Sequence, residues 1–213
     1  MIVREPDVEA AVRPLYSEAL PYHNFGHVQD TVAAGTAILR RCASEGIRVD
    51  ARIVYYALLF HDAGYQEDHQ RLGFASKEAY SAQLAADYFT AREAGPAMVQ
   101  KIIDAIMATE RDARFVTAEQ KAVRAADLAG LAADYATFRI NTVNLWKEHA
   151  LLSGTGMSWE AWVQDVGRVL KHYLAQEIRL TSYYNDDDGE SAFHRAVLRN
   201  LAALREDGET PAM

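Results

Sequence analysis

The apolar residues of this 213-residue chain recur at helical spacing along most of its length. Near the middle, four of them stand at positions i, i+3, i+4 and i+7, which is the pattern of one buried face of an α-helix. They are Ile53, Tyr56, Ala57 and Phe60. No run of alternating apolar and polar residues bounded by turn residues indicates a β-strand. We therefore predict an all-α fold, a helical bundle whose apolar faces form the core.

The length and composition indicate one domain. Half of the residues are hydrophobic, and there are only twelve glycines and five prolines, as in helical globular proteins. A chain of this size can bury one substantial core. We predict a single domain over 1–213, with a core at about 20–135, C-terminal helices at about 135–205 packed on it, and a flexible tail at 206–213. The acidic run at 185–189 is predicted to be a solvated turn before the last helix.

Charge and cysteine content limit the partners and the compartment. The net charge of −8 opposes binding to a nucleic-acid backbone, so we predict no nucleic-acid partner. Cys42 is the only cysteine, which excludes an intrachain disulfide and fits a reducing compartment. No segment reaches the roughly 18 apolar residues of a membrane helix, and charge and proline come early at the N-terminus. We predict a cytoplasmic protein without a membrane partner.

Two histidines lie four residues apart in the segment Tyr22-His23-Asn24-Phe25-Gly26-His27. Residues at this spacing lie one above the other on a helix face. We therefore expect the side chains of His23 and His27 to project into one cavity.

A His-Asp doublet follows about one helix later. His61 continues the apolar stripe of the preceding helix, and Gly64 predicts that this helix ends beside the doublet. At a helix end, His61 and Asp62 can converge on one ion. A second carboxylate, Asp127, lies on a helix that the capping box Thr117-Ala118-Glu119-Gln120 predicts to begin there.

Taken together, these patterns predict a metal site of two imidazoles and two carboxylates. Its ligands are His27, His61, Asp62 and Asp127. Such a nitrogen and oxygen donor set suits Mn, Mg, Ni, Co, Fe or Zn. A divalent ion lowers the pKa of bound water from about 15.7 to about 7 and neutralises a phosphoryl oxygen, which predicts a hydrolase acting on a small anionic substrate.

The order and spacing of these residues resemble the HD-domain metal-dependent phosphohydrolase superfamily, in particular a group of predicted bacterial HD phosphohydrolases of about this length. The likeness runs from Tyr22 to about Leu201, and the segment 22–27 is also similar to the start of the cyclic nucleotide phosphodiesterase catalytic domain. The resemblance implies an HD-type helical bundle with the metal between core helices, held by the four ligands above. It also implies that His23 protonates the leaving oxygen, that Asp62 orients the attacking water, and that Glu78 orders this water or a histidine behind the ligands.

The implied substrate is a phosphate ester of a nucleotide or similar small metabolite. Binuclear members carry more histidines before the final aspartate, whereas His69 is the only histidine in that interval here. We therefore predict one divalent ion, with Glu78, Glu110 or Asp68 as candidate ligands of a second. Two alternatives stay open at this stage: a di-iron HD-type oxygenase, and a non-catalytic nucleotide- or metal-binding regulatory module. The sequence does not decide the substrate, the metal, or whether the protein forms a homo-oligomer.

Overall fold

A computed structural model describes residues 2–185 and 190–212. Within these residues there are nine α-helices and no β-strand, which confirms the all-α prediction. The helices are α1 (Pro6–Val12), α2 (Phe25–Ser44), α3 (Ala51–Phe60), α4 (Lys77–Thr90), α5 (Pro96–Met107), α6 (Ala118–Asp127), α7 (Tyr135–Ser153), α8 (Trp159–Ala175) and α9 (Ala192–Glu206). No helix among the described residues combines the length and the apolar character needed to cross a membrane.

The chain divides into two compact units, Met1–Asp127 and Leu128–Met213. The single domain with a core at about 20–135 stays a prediction. Of the acidic run at 185–189, only Asn185 belongs to the described residues, so the predicted turn lies outside them.

Helix α3 is the centre of the first unit. Every residue from Ile53 to Phe60 is buried, so the helix is covered on all sides and not only along the predicted stripe. Helices α2, α5 and α6 pack against it. Gly35 permits the close approach of α2, because a Cβ atom at this position would lie 2.6 Å from Leu58 Cδ1. Candidate ligands lie at the ends of α2, α3 and α6, and these three helices therefore share one core.

Side-chain caps fix where the helices of this unit begin. Asn24, Asp50 and Ser76 each accept a hydrogen bond from a backbone N–H in the first turn of α2, α3 and α4. The predicted capping box is confirmed: Thr117 Oγ1 accepts from Gln120 N–H at 3.2 Å, and Gln120 Oε1 accepts from Thr117 N–H at 2.9 Å. The start of α6, and with it the position of Asp127 at the end of this helix, is thus set locally.

In the second unit, α7, α8 and α9 pack with two short 3-10 helices, Leu128–Ala132 and Ser182–Tyr184. Ser158 caps α8, with its hydroxyl accepting from Ala161 N–H. Trp146 and Trp159 meet edge to face at 5.3 Å, and the Trp146 indole N–H donates to the Met157 carbonyl. Both tryptophans are buried core residues, and Trp146 satisfies its indole N–H within the unit.

Helix α1 is attached to α3 through Glu9. Its carboxylate accepts hydrogen bonds from the Tyr55 hydroxyl at 2.7 Å and from the Arg4 guanidinium at 2.7 and 2.8 Å. The Arg4 hydrogen bonds outweigh burial and hold the pKa of Glu9 below its usual range. A carboxyl group with a lowered folded-state pKa stabilises the fold above its unfolded pKa, and this stabilisation is lost as the pH falls through the folded pKa.

We predict that Glu9→Gln lowers the free energy of unfolding at pH 7 by about 1 kcal/mol or less, the range of partly exposed ion pairs. The difference from wild type should shrink below about pH 4, near the carboxyl pKa. Urea unfolding at pH 7 and pH 3 measures both effects. Glu18→Gln, on an exposed carboxylate, is the matched control. A deficit of equal size at both pH values would contradict the assigned role of the Glu9 charge.

Candidate metal centre

Four candidate ligands meet at one point of the first unit. His27 Nε2 and His61 Nε2 lie 3.3 Å apart. Asp62 Oδ2 lies 3.0 Å from the His61 nitrogen and 3.5 Å from the His27 nitrogen. Asp127 Oδ1 lies 3.6 and 3.9 Å from the same two atoms. Residues far apart in sequence thus direct their donor atoms at one another.

Each ligand occupies the end of an element. His27 lies in the first turn of α2, His61 follows the last residue of α3, and Asp127 is the last residue of α6. Asp62 is just beyond α3, where the chain has left the helix. The doublet therefore lies where it was predicted, immediately past the helix end, and both of its side chains turn toward His27.

The surroundings give the two histidines opposite protonation behaviour. Burial lowers the pKa of His27 to about 3, and the nearby His61 charge adds to this effect. Burial also opposes protonation of His61, but the charge and hydrogen bond of Asp62 outweigh it and raise the pKa of His61 to about 9. For Asp62, burial is outweighed by the His61 cation, which holds the pKa of this carboxyl well below its usual range. Burial raises the pKa of Asp127.

The tautomer of His61 is fixed by its second ring nitrogen. His61 Nδ1 lies 2.8 Å from the Leu58 carbonyl oxygen, which can only accept a hydrogen bond, so Nδ1 carries a proton. When the ring is neutral, the lone pair is therefore on Nε2, the atom that faces His27 and the two carboxylates. An imidazole held by a backbone carbonyl in this way is a typical metal ligand.

The donor set fits a divalent metal ion. One donor atom from each of His27, His61 and Asp127 lies within 4.8 Å of the others, and this is the group of potential ligands that the described residues bring together. Bonds of about 2.0–2.2 Å from nitrogen and carboxylate oxygen to one ion would bring the donors to comparable separations. Without a cation, the lone pairs of two neutral imidazoles and the charges of two carboxylates repel one another. A bound cation would attract all four groups. The site can hold a metal ion.

The position of His23 differs from the prediction that it shares a helix face with His27. Helix α2 begins at Phe25, after the Asn24 cap, so His23 precedes the helix and does not share a helical face with His27. The Asn24 side chain accepts from Gly26 N–H, which stops the helix from extending back to His23. The turn nevertheless brings the His23 ring to 5.7 Å from the His27 ring, edge to face. His23 is half-buried beside the ligands, in reach of a solute.

Among the described residues, Glu78 and the candidate ligands of a second ion do not belong to the group of donors within 4.8 Å of one another. In the described part of the chain, Glu78 makes no hydrogen bond or ion pair with the four ligands; it is half-buried in the first turn of α4. The Glu110 carboxylate accepts from the Ser76 hydroxyl, and Asp68 accepts from Arg71 N–H on an exposed turn. The arrangement favours one ion, and the role of Glu78 stays a prediction.

Tyr16 is a functional residue that sequence reasoning missed. Its buried hydroxyl donates to the Leu59 carbonyl at 2.9 Å, in the last turn of α3, and the main chain of Asp62 also hydrogen-bonds this hydroxyl. Burial raises the pKa of Tyr16, so the hydroxyl stays protonated and remains a donor. No local pattern around Tyr16 signals this contact, which joins residues 43 apart in sequence. Tyr16 holds the helix end from which His61 and Asp62 emerge.

Arg124 is a second such residue. Its guanidinium is buried and donates to the Thr109 carbonyl at 2.7 Å and to the Arg111 carbonyl at 3.3 Å. Arg124 stands one turn before Asp127, and its charge favours the Asp127 carboxylate. The sequence contained one signal for this contact, an arginine at an inward-facing position of a predicted helix. A buried guanidinium there needs nearby hydrogen-bond acceptors.

Gly64 shapes the turn after the doublet. Its φ of +73° lies in the left-handed region, and a Cβ atom there would lie 2.5 Å from Tyr80 Cε1. Its N–H donates to the Leu15 carbonyl at 2.8 Å, beside Tyr16. Both the backbone conformation and the contact with α4 therefore require glycine.

Comparison with known proteins gave no match to any protein-family model, curated protein or solved structure. Membership of the HD superfamily therefore stays a prediction, which is carried by the sequence motifs.

We predict that Tyr16→Phe weakens Mn²⁺ binding by about tenfold or more, as loss of the groups that orient metal ligands does. It should also cost about 1–2 kcal/mol of stability, because the Leu59 carbonyl loses its donor in a buried place. Calorimetric Mn²⁺ titration and urea unfolding measure the two effects, with Tyr88→Phe on α4 as the control. A loss of stability with unchanged Mn²⁺ affinity would show that Tyr16 supports the fold alone.

We predict that Gly64→Ala is more damaging than Gly73→Ala. Both glycines have positive φ, and both substitutions incur a backbone cost of about 1–2 kcal/mol, but a Cβ at Gly73 has open space whereas one at Gly64 meets Tyr80. The difference in unfolding free energy between the two variants isolates this contact. Mn²⁺ affinity should fall in Gly64→Ala only. Equal effects at the two positions would disprove the role given to the Tyr80 contact.

Proposed function

We propose that the first unit is a metal-dependent phosphohydrolase that cleaves a phosphate ester of a nucleotide or similar small metabolite. The observation that carries this proposal is the convergence of two buried imidazole nitrogens and two carboxylates, with the half-buried His23 beside them. The motifs shared with HD phosphohydrolases support the choice of a phosphate ester as the substrate.

In this proposal His27, His61, Asp62 and Asp127 hold the ion. A bound divalent ion supplies Lewis acidity and an activated water at neutral pH. His27 is suited to its role because burial keeps its imidazole neutral, and His61 because its Nδ1 proton is committed to Leu58. Asp62, whose carboxyl stays ionised, can also accept a hydrogen bond from the attacking water and orient it.

His23 is the proposed proton donor to the leaving oxygen. Histidine is the side chain that enzymes use most often for such proton transfer. The turn before α2 places this ring outside the ligand set yet next to His27. A residue in that position can reach a bound ester without occupying the metal. This separation of roles favours an enzyme over a purely regulatory metal site.

The test combines metal analysis with turnover. We expect wild-type protein, purified without chelator or affinity metal, to hold about one equivalent of a divalent transition metal and to hydrolyse at least one of p-nitrophenyl phosphate, nucleoside monophosphates or cyclic nucleotides. Asp127→Ala should lose both the metal and turnover. His23→Gln should keep the metal and lose about 10²–10⁴-fold in kcat, the usual contribution of a general acid. Asp30→Ala, on the exposed face of α2, is the control.

Full turnover in both Asp127→Ala and Asp62→Ala would refute the proposal. Two irons in the wild type would redirect the assays to oxygenation. Failure to bind Mn, Mg or Ni on reconstitution would leave a non-catalytic binding module.

A further inference from the structure

Three side chains form a stack at the edge of the metal centre. The His23 and Tyr65 rings are stacked, with centroids 3.7 Å apart and planes at 14°. The Lys77 ammonium nitrogen lies 3.3 Å from the centroid of the Tyr65 ring. The two neighbours must occupy opposite faces of Tyr65, because a stacked imidazole leaves no room for an ammonium on the same face. All three side chains are half-buried, so their outer edges are open to a solute.

Hydrogen bonds fix the main chain that carries the three stacked side chains. Lys77 is the first residue of α4, directly after the Ser76 cap, and the Ser76 hydroxyl also donates to Glu110. Tyr65 follows Gly64, and its N–H donates to the Asp62 carbonyl. The position of the ammonium group is therefore tied to that of the metal ligands. The contact with the Tyr65 face restrains the long lysine side chain, which lowers the entropy lost when it binds an anion.

We propose that Lys77 binds a second anionic group of the substrate, separate from the phosphoryl group that is cleaved beside His23. This inference rests on the proposed hydrolysis and narrows the substrate to a phosphate ester that carries a further phosphate or carboxylate. The ring of Tyr65 lies between the ammonium and the His23 ring, which favours separate anionic groups at these two side chains. Both faces of Tyr65 are covered, which excludes stacking of a nucleobase on this ring.

Charge supports the same assignment. The chain has a net charge of −8, and the metal centre itself contains two carboxylates. A substrate with two anionic groups needs positive charge at both, and one metal ion serves only the reacting group. An ammonium is a compact charge with three donors, which suits a phosphate or carboxylate that approaches from solvent.

The experiment compares two probes with equal base and sugar, adenosine 5′-monophosphate and adenosine 3′,5′-bisphosphate. Their Kd values are measured by calorimetry on full-length Mn²⁺-loaded protein. We expect the wild type to bind the bisphosphate at least about tenfold more tightly, the low end for a charge-assisted hydrogen bond. Lys77→Met and Lys77→Gln should each reduce this ratio to about one, and Lys77→Arg should retain most of it. Lys101→Met, on an exposed position of α5, should behave as wild type.

Equal affinities for the two probes in the wild type, or an undiminished ratio in Lys77→Met and Lys77→Gln, would overturn the inference. So would absence of binding of either probe at millimolar concentration. Metal content and thermal unfolding of each variant show whether it is folded. A Lys77-dependent ratio in a protein that releases no phosphate from any ester would uphold the anion site and remove the proposed hydrolase activity.

Discussion

The candidate centre depends on how helix α3 ends. Three hydrogen bonds act within four residues of this point: from His61 Nδ1 to the Leu58 carbonyl, from the Tyr16 hydroxyl to the Leu59 carbonyl, and from Gly64 N–H to the chain beside Tyr16. The first two occupy carbonyls that the end of α3 leaves without partners, and the third attaches the following turn to Leu15. By the same contacts they set the tautomer of His61 and direct the main chain that carries Asp62. The same hydrogen bonds therefore stabilise the end of α3 and orient the candidate metal ligands.

The arrangement of charges at the centre is electrostatically unfavourable without a bound cation. Two imidazole nitrogens 3.3 Å apart cannot both carry a proton, and the burial of Asp62 and Asp127 removes both carboxylates from water. The protein compensates in part with the His61–Asp62 ion pair and with the charge of Arg124. A divalent cation would neutralise both carboxylates and displace the proton from His61, so its binding should stabilise the fold. Such a locally unfavourable arrangement of charges is typical of functional sites.

Local sequence patterns predicted the helices and most of the ligand geometry. The period of the apolar residues gave α3, the Thr117–Gln120 capping box gave the start of α6, and the stop at Gly64 placed the doublet past a helix end. The same local reasoning failed at His23, where the Asn24 cap overrode the helical spacing of two histidines. Tyr16 could not be predicted, since its hydrogen bond spans 43 residues and depends on how α3 packs. Contacts of this kind depend on the tertiary fold and leave no periodic pattern in the sequence.

The site has two layers that differ in exposure and therefore in what they can bind. His27 and His61 are buried, with Asp62 and Asp127 only slightly exposed, so this inner layer admits a desolvated ion and excludes a bulky solute. The stack of His23, Tyr65 and Lys77 is half-buried and therefore partly accessible to solvent. The inner layer is negative and the stack carries at least one cation. A metal ion would bring the inner layer closer to neutrality, so an anionic ester could then approach it from the side of Lys77. Under the proposed function, metal binding would therefore precede substrate binding, because without the ion the two carboxylates repel an anionic ester.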